Sequence, residues 1–278
     1  MKTRLAALAT LVLGFAGFAG SGAYAAEPQP WEMGMQPAAS LVADRIHSFN
    51  SLLLWIITLI TLLVLGLLVY VMWRFRASRN PVPTKTSHNT LIEVIWTVVP
   101  IMILVIIAIP SFKLIYYADV TPKADLTVKA TGHQWYWSYD YPDSKVSFDS
   151  QIIDDDSLKP GQIRLLSVDN PLVVPVHTYI RVLVTSDDVI HAWVVPALGM
   201  QINGVPGRLN EIWMNIEKEG TYYGQCTQLC GVNHGFMPIE VKAVSKEAFA
   251  QWLAGQQKAS SNAKPAAGAQ LAQAEARR

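Results

Sequence analysis

Residues 52–73, LLLWIITLITLLVLGLLVYVMW, form an uncharged apolar run of 22 residues. At about 1.5 Å per helical residue, this run is long enough to cross the roughly 30 Å hydrocarbon core of a bilayer. A second apolar run covers residues 94–115 and contains Pro100 and Pro110, which membrane helices tolerate. The sequence therefore predicts a hairpin of two transmembrane helices.

The loop at residues 74–93 carries the charge that orients this hairpin. It contains no acidic residue before Glu93. Its basic residues are Arg74, Arg76, Arg79 and Lys85. Because basic loops stay on the cytoplasmic side, we expect this loop in the cytoplasm and both ends of the chain outside.

Residues 1–26 have the pattern of a secretory signal, with a basic start, an apolar run and small residues at Ala23 and Ala25. The alternative is a retained first membrane helix, but the apolar run is short for a span. Cleavage would give a mature chain that starts near Ala26. We expect residues 27–51 to be an exported leader.

Composition supports a membrane protein. Of the 278 residues, 51% are hydrophobic and only 15% are charged, and the net charge is +1. Soluble domains carry about a quarter charged residues. This balance argues against a disordered chain and against a nucleic-acid-binding protein. Two cysteines are too few for a disulfide scaffold.

Residues 119–255 change character and alternate short β-rich runs with turn signals. Such spacing predicts an antiparallel sandwich or barrel. The runs are LTVKAT (126–131), WYWSY (135–139), IRLLSV (163–168), YIRVLVT (179–185), EIWMNI (211–216), TYYG (221–224) and IEVKAV (239–244).

A short helix is predicted after the last of these runs, from Lys246 to Ala254, with Ser245 as its N-cap and Gly255 as its stop. Residues 256–278 have almost no large apolar residue. We expect that tail to be disordered.

The 119–255 segment is acidic, with 16 acidic and 10 basic residues and thus a net charge of −6. Asp154–Asp156 and Asp187–Asp188 are its densest patches. One interpretation is a solvated surface. The other is a docking field that attracts a basic partner.

The strongest chemical signal is a C-x3-C-x3-H-x2-M motif formed by Cys226, Cys230, His234 and Met237. A further histidine, His191, lies upstream. Thiolate, imidazole and thioether ligands together select copper over hard cations. A mononuclear blue copper site needs one cysteine, so the second one favours two coppers bridged by both thiolates.

Other interpretations of this motif remain open. A Cys226–Cys230 disulfide is plausible in an oxidising compartment, although it leaves the histidine and methionine unused. A zinc site of two cysteines and two histidines would need no methionine. His133 and His177 are alternatives to His191.

Two further features stand out. Residues 132–139, GHQWYWSY, contain five aromatic or imidazole rings. They predict either a packed strand or an exposed indole that passes electrons from a docked donor. Glu93 lies at the cytoplasmic boundary of the second span, where it is either merely interfacial or a proton-uptake group.

These motifs together resemble subunit II of the haem–copper cytochrome c oxidases. The similarity covers the chain from the first span to Trp252, and includes the copper motif, the segment 132–137 and the pattern Glu93-Val94-Ile95-Trp96-Thr97 with Pro100. It implies two transmembrane helices followed by an all-β cupredoxin-type Greek-key barrel that holds the binuclear copper centre called CuA.

The resemblance also implies roles for individual residues. The expected side-chain ligands of copper are His191, Cys226, Cys230, His234 and Met237, and Gln228 would bind through its backbone carbonyl. Trp135 would receive the electron from cytochrome c, and Glu93 would lie at the mouth of a proton pathway into subunit I. Arg208 would face subunit I. The expected docking acids are Asp140, Asp149, Asp169, Asp187 and Asp188.

Two positions depart from the family pattern. Many members have glutamate at position 228 and aspartate at position 203, where this chain has Gln228 and Asn203. A neutral amide is a poorer ligand for a hard cation. The departures leave the copper ligands intact and put a magnesium ion at the subunit I boundary in doubt.

The implied function is electron transfer from cytochrome c to a haem in subunit I, where oxygen is reduced to water. The expected partners are subunits I and III, in a bacterial inner membrane with the copper domain on the periplasmic side. A copper chaperone or thiol-redox protein is the alternative from another class, and a nitric oxide substrate for the partner stays possible. A quinol oxidase subunit would lack the copper ligands, and a nitrous oxide reductase would need more than six histidines.

Overall fold

A computed structural model describes residues 24–82 and 84–262 of the chain. The predicted secretory signal, apart from its last three residues, lies outside the described residues. The same holds for the predicted tail beyond residue 262.

Two long helices form the membrane hairpin. Helix α1 is Leu41–Arg74 and begins at Ser40, whose side chain accepts a hydrogen bond from the backbone N–H of Ala43. Helix α2 is Thr90–Asp119 and begins at Asn89. Both are long and apolar enough to cross a membrane. The helices contain both predicted spans, but α1 starts inside the predicted leader, so that residues 41–51 are helical.

Within the described residues, eleven strands build the β-domain in three sheets. The sheet orders are β1-β10-β11-β5, β4-β3-β2-β6-β9 and β7-β8. The strands are β1 Tyr24–Ala26, β2 Leu126–His133, β3 Tyr136–Tyr141, β4 Val146–Ser150, β5 Leu172–Pro175, β6 Ile180–Ser186, β7 His191–Val195, β8 Met200–Gly204, β9 Asn210–Met214, β10 Gly220–Gln225 and β11 Pro238–Val244. The predicted fold class, two transmembrane helices with an all-β cupredoxin-type barrel, is confirmed.

Alternating burial shows how the strands enclose one core. Along β6, every second residue from Ile180 to Ser186 is buried, as expected for a strand with one face in the core. Trp137 and Trp193 are fully buried in the centre, and the indole N–H of Trp193 donates to Tyr139 Oη at 3.2 Å. The copper motif lies at one end of this core.

Two sequence predictions in the domain are wrong. Residues 163–168 form a turn, with Leu165 at a φ of 65°, and not a strand. The C-terminal helix, α3 Lys246–Asn262, continues past Gly255, which is an ordinary helical residue and not a stop. Residues 256–262 of the predicted tail are therefore helical.

The segment before α1, which comprises the end of the predicted signal and the leader, packs on the β-domain, although the two are far apart in sequence. Strand β1 pairs in parallel with β10. The backbone N–H of Ala39 donates to Ala197 O at 2.9 Å, and the hydroxyl of Ser40 donates to Leu198 O at 2.7 Å. Since the leader contacts the domain, both lie on the same side of the hairpin, as two crossings require.

Candidate metal centre

The C-x3-C-x3-H-x2-M segment folds back on itself between β10 and β11. Cys226 follows β10, His234 begins a short 3₁₀ turn and Met237 precedes β11. The sulfur of Cys230 lies 3.9 Å from that of Cys226, 3.4 Å from His234 Nδ1 and 3.6 Å from Met237 Sδ. Four side chains of the predicted site are thereby brought together.

His191 supplies the fifth side chain from the start of β7. Its ring is fully buried, and its Nδ1 lies 4.0 Å from Cys226 Sγ. The opposite ring nitrogen, Nε2, lies 2.8 Å from Asp188 Oδ1. Gly132 lies against this ring, since a Cβ added there would be 2.7 Å from His191 Cδ2. The alternatives His133 and His177 lie elsewhere, on β2 and in a turn.

The donor set fits copper. Cys226 and Cys230 are 5% and 4% exposed, and both are free. Their 3.9 Å separation is well beyond the roughly 2.05 Å of a disulfide bond. The backbone carbonyl of Gln228 lies 3.3 Å from Cys226 Sγ, as expected for a further ligand. Three sulfurs and two imidazoles, with both thiols buried, are soft donors that suit copper.

The surroundings of the two thiols shift their pKa values in opposite directions. Burial opposes ionisation of Cys226, but the hydrogen bond from His191 and the N–H of Ala192 outweigh it and lower its pKa to about 7. Burial and the neighbouring Cys226 thiolate raise the pKa of Cys230. Of the two thiols, Cys226 is therefore the one that ionises more readily.

The same contacts stabilise an ion pair behind the site. Burial opposes both charges, but hydrogen bonds to Cys226 and Asp188 raise the pKa of His191. The hydrogen bond from His191, with those from the N–H groups of Val189 and Gln134, lowers the pKa of Asp188. Asp188 thus holds the orientation of a candidate ligand.

The aromatic segment touches the metal loop directly. The indole N–H of Trp135 donates to Cys230 O at 3.3 Å, and the side-chain amide of Gln134 donates to the same oxygen at 2.8 Å. Gly231 lies at a φ of 128°, and a Cβ there would be 2.9 Å from Trp135 Cζ2. The sequence prediction overlooked Gln134, whose only signal was its position before Trp135.

The predicted docking acids differ in their contacts. Asp140 pairs with Lys129 at 3.8 Å, and Asp187 lies 3.6 Å from His133 Nδ1. Asp149 and Asp169 are exposed and accept hydrogen bonds from Ser138 and from the backbone of Gln151. Asp188 differs, because its carboxylate accepts from the backbone of Gln134 at 2.6 Å and meets His191.

Three predicted residues lie away from the sulfurs. Glu93 is in the first turn of α2, at the far end of the hairpin. Asn203 and Arg208 line a polar cleft beside Asp119 and Glu211. Asn203 pairs with Ala192 across β7 and β8, so this cleft adjoins the strand that begins with His191.

Comparison with known proteins gives a consistent result. The transmembrane domain of cytochrome c oxidase subunit II matches residues 28–114, and the periplasmic domain of that subunit matches residues 126–244. A probable cytochrome c oxidase subunit 2 of Rickettsia bellii is 55% identical over 86% of this chain and 89% of its own. Cytochrome c oxidase subunit 2 of Arabidopsis thaliana is 45% identical over 82% of this chain and 90% of its own.

Among solved structures, the periplasmic domain of subunit II of cytochrome oxidase from Bradyrhizobium japonicum is 54% identical. The match covers 50% of this chain and 98% of the Bradyrhizobium chain, with a TM-score of 0.47. Two regions of this chain match the family, and its relatives align over most of their length. This chain therefore belongs to the cytochrome c oxidase subunit II family and is a subunit of an oxidoreductase complex.

Proposed function

We propose that this chain accepts electrons from a cytochrome c at a binuclear copper centre and passes them to a haem in subunit I, where oxygen is reduced to water. The centre would be held by His191, Cys226, Cys230, His234 and Met237, with the carbonyl of Gln228. Two copper ions held there would supply one-electron redox chemistry, with the unpaired electron shared between both metals.

The observation that carries this proposal is the packing of five soft donors around two buried thiols. Strands β7, β10 and β11 fix the ends of the segments that carry these donors, so the β-framework holds them in place. A preorganised site suits electron transfer, because little has to move when the charge changes. A copper chaperone must release its metal, and a closed, buried donor set argues against that function.

Trp135 is the proposed point of electron uptake. Its indole is half-buried, and its Nε1 lies 3.3 Å from the carbonyl oxygen of Cys230. This contact gives a short bonded route from an aromatic ring near the surface to a thiolate ligand. The side-chain amide of Gln134 donates to the same carbonyl and would hold that oxygen in position beside the indole.

Acidic residues around this segment would orient a basic donor. Asp140, Asp149, Asp169 and Asp187 are exposed or half-buried. Long-range attraction between such a field and a cationic partner raises the rate of encounter and weakens with salt. For Asp188, which we expected to serve in docking, the contacts with His191 and Gln134 favour a positioning function.

The remaining assignments concern the membrane and the partner subunits. The basic loop at 74–93 supports a cytoplasmic loop and a periplasmic copper domain in a bacterial inner membrane. Glu93, half-buried at the loop end of α2, is proposed to admit protons to subunit I. The neutral Gln228 and Asn203 argue against a magnesium site beside Arg208, which would face subunit I. Subunit III is the further proposed partner.

The first test is the copper count and the electron paramagnetic resonance spectrum of the full chain. The full chain is needed because Ala26, at the end of the predicted signal, and Ala39 of the leader belong to the core of the β-domain. Two coppers per chain with a seven-line hyperfine pattern, as one electron shared by two equivalent nuclei requires, would support the proposal. One copper with four lines, or a stable Cys226–Cys230 disulfide without copper, would contradict it.

A further inference from the structure

A cleft of about 290 Å³ lies between α1 and α2, near the end of the hairpin that carries the β-domain. Its polar lining comes from two cations and one hydroxyl, Arg45, Lys113 and Ser48. Its apolar lining is Phe49, Leu52, Pro110 and Leu114. The proposed electron-transfer function uses none of these side chains.

The two cations lack acidic partners. Neither Arg45 nor Lys113 forms an ion pair within 4.0 Å with any described residue, and the cleft lining contains no carboxylate. Asp44 is next to Arg45 in sequence but does not line the cleft. Two unpaired cations that share one cavity create a positive field that an anionic group would relieve.

The position of Arg45 is fixed by its neighbours. Its guanidinium carbon lies 3.5 Å from the centroid of the Tyr117 ring. Tyr117 in turn packs edge-on against Trp213 of β9, with 5.4 Å between the ring centroids. The exposed Arg45 side chain therefore packs against Tyr117 at the junction of the hairpin and the β-domain.

Depth along the helices separates the polar and apolar parts of the cleft. Arg45 precedes the apolar run 52–73 by seven residues, which is about 10 Å along a helix. Lys113 is two residues from the end of the second run, close enough for its long side chain to reach the interface. Leu52 and Pro110 lie deeper, where acyl chains begin.

We propose that this cleft binds an anionic phospholipid, with the phosphodiester between Arg45 and Lys113 and the start of an acyl chain against Phe49, Leu52 and Leu114. Cations above an apolar wall complement the two ends of such a lipid. Basic residues at a membrane surface attract anionic lipids by about 1 kcal/mol each. The lipid would brace the joint between the hairpin and the copper domain.

The test is native mass spectrometry of the full chain in detergent, titrated with phosphatidylglycerol and with phosphatidylcholine of the same acyl chains. We expect phosphatidylglycerol to bind more tightly. Arg45→Gln and Lys113→Gln should each weaken its binding about fivefold, the factor that corresponds to about 1 kcal/mol. Lys85→Gln, at the opposite end of the hairpin, is the matched control and should change nothing.

Several outcomes would overturn the proposal. Equal binding of the two lipids, or an equal loss in Lys85→Gln, would mean that the cleft does not select an anionic headgroup. Displacement by inorganic phosphate alone would indicate a simple anion site. Phosphatidylglycerol must also bind when the same titration is done on the delipidated oxidase complex. Absence of binding there would mean that a partner subunit covers the cleft.

Discussion

Asp188 Oδ1 and His191 Nε2 lie 2.8 Å apart, on the side of the imidazole that faces away from the thiols. The carboxylate therefore fixes which ring nitrogen is free to bind a metal. Such outer contacts tune the affinity and the electronic properties of metal sites. Asp188 thus acts on the centre through His191.

Asp188→Asn should raise the reduction potential of the copper centre. A carboxylate near the site favours the more positive, oxidised state, and its loss is worth about 1–2 kcal/mol in a partly solvated setting. That is about 40–90 mV for one electron, measurable by redox titration of the copper absorbance. Asp187→Asn is the control, because Asp187 contacts His133 and no candidate ligand. Equal reduction potentials in wild type and Asp188→Asn would contradict a positioning function for Asp188.

Gly132→Ala should weaken copper binding while the β-domain stays folded. The added Cβ would lie 2.7 Å from His191 Cδ2, so the ring must shift. A displaced ligand costs about 10–100-fold in metal affinity. Copper affinity from competition with a chelator measures this effect, with far-ultraviolet circular dichroism as the check on folding. Gly255→Ala, at a position with nothing within 4 Å, should bind copper normally. Wild-type affinity in Gly132→Ala would contradict the close approach.

Trp135→Phe should slow electron uptake at least about tenfold, equivalent to about 1.4 kcal/mol of barrier, with copper content unchanged. Phenylalanine keeps a ring but loses the N–H that donates to Cys230 O. Stopped-flow oxidation of reduced cytochrome c by the assembled complex is the measurement. Trp31→Phe is the control, because Trp31 is 97% exposed in the leader. Unchanged uptake kinetics would assign Trp135 to packing alone.

Glu93→Gln should slow the turnover of the assembled complex without changing the rate of electron uptake. An amide keeps the size of the side chain but cannot take up and release a proton at neutral pH. Oxygen consumption and stopped-flow reduction of the copper centre separate the two steps. Glu32→Gln in the leader is the control. If turnover stays at the wild-type level, Glu93 is merely an interfacial residue.

Glu240 should make the β-domain less stable as pH rises. Burial raises its pKa above the ordinary 4.5, although the N–H of Val168 and the charge of Lys242 oppose the shift. The folded state therefore binds more protons than the unfolded state just above pH 4.5, and stability falls as pH rises through the folded pKa. Above the folded pKa the whole cost is present.

Glu240→Gln removes this cost while keeping an oxygen that accepts from Val168 N–H. We expect the Tm of the variant to exceed that of wild type at pH 7 and the difference to shrink towards pH 4.5. Thermal unfolding of the full chain, followed by circular dichroism, measures both. Glu247→Gln, at an exposed position of α3, serves as the control. A Tm difference that does not depend on pH would contradict this account.

Local signals predicted much of the site from the sequence. Cys226, Cys230, His234 and Met237 lie within 12 residues, so one loop brings them together. The choice of His191 over His133 and His177 needed the topology, because it depends on β7 lying beside β10. The functions of Gln134 and Asp188 depend on single tertiary hydrogen bonds that leave no periodic pattern.

The wrong predictions of secondary structure also arise because local sequence does not show tertiary contacts or backbone conformation. IRLLSV at 163–168 has strand-like composition, but only Val168 finds a strand-type partner, Ile152. Gly255 is a helix stop only where the backbone needs a left-handed residue, and α3 simply continues through it. Ala26, at the end of the predicted signal, and Ala39, in the leader, are buried and pair with residues more than 150 positions away, which no local pattern encodes.

The joint at Ala39, Ser40, Ala197 and Leu198 has a consequence for biogenesis. The leader is translated first and its docking site on the domain last, with both membrane spans between them. The two surfaces meet only if both spans insert, since one failed span would leave them on opposite sides of the bilayer. Closure of this joint therefore requires correct insertion of both spans, and a misinserted chain would leave the carbonyls of Ala197 and Leu198 without these partners.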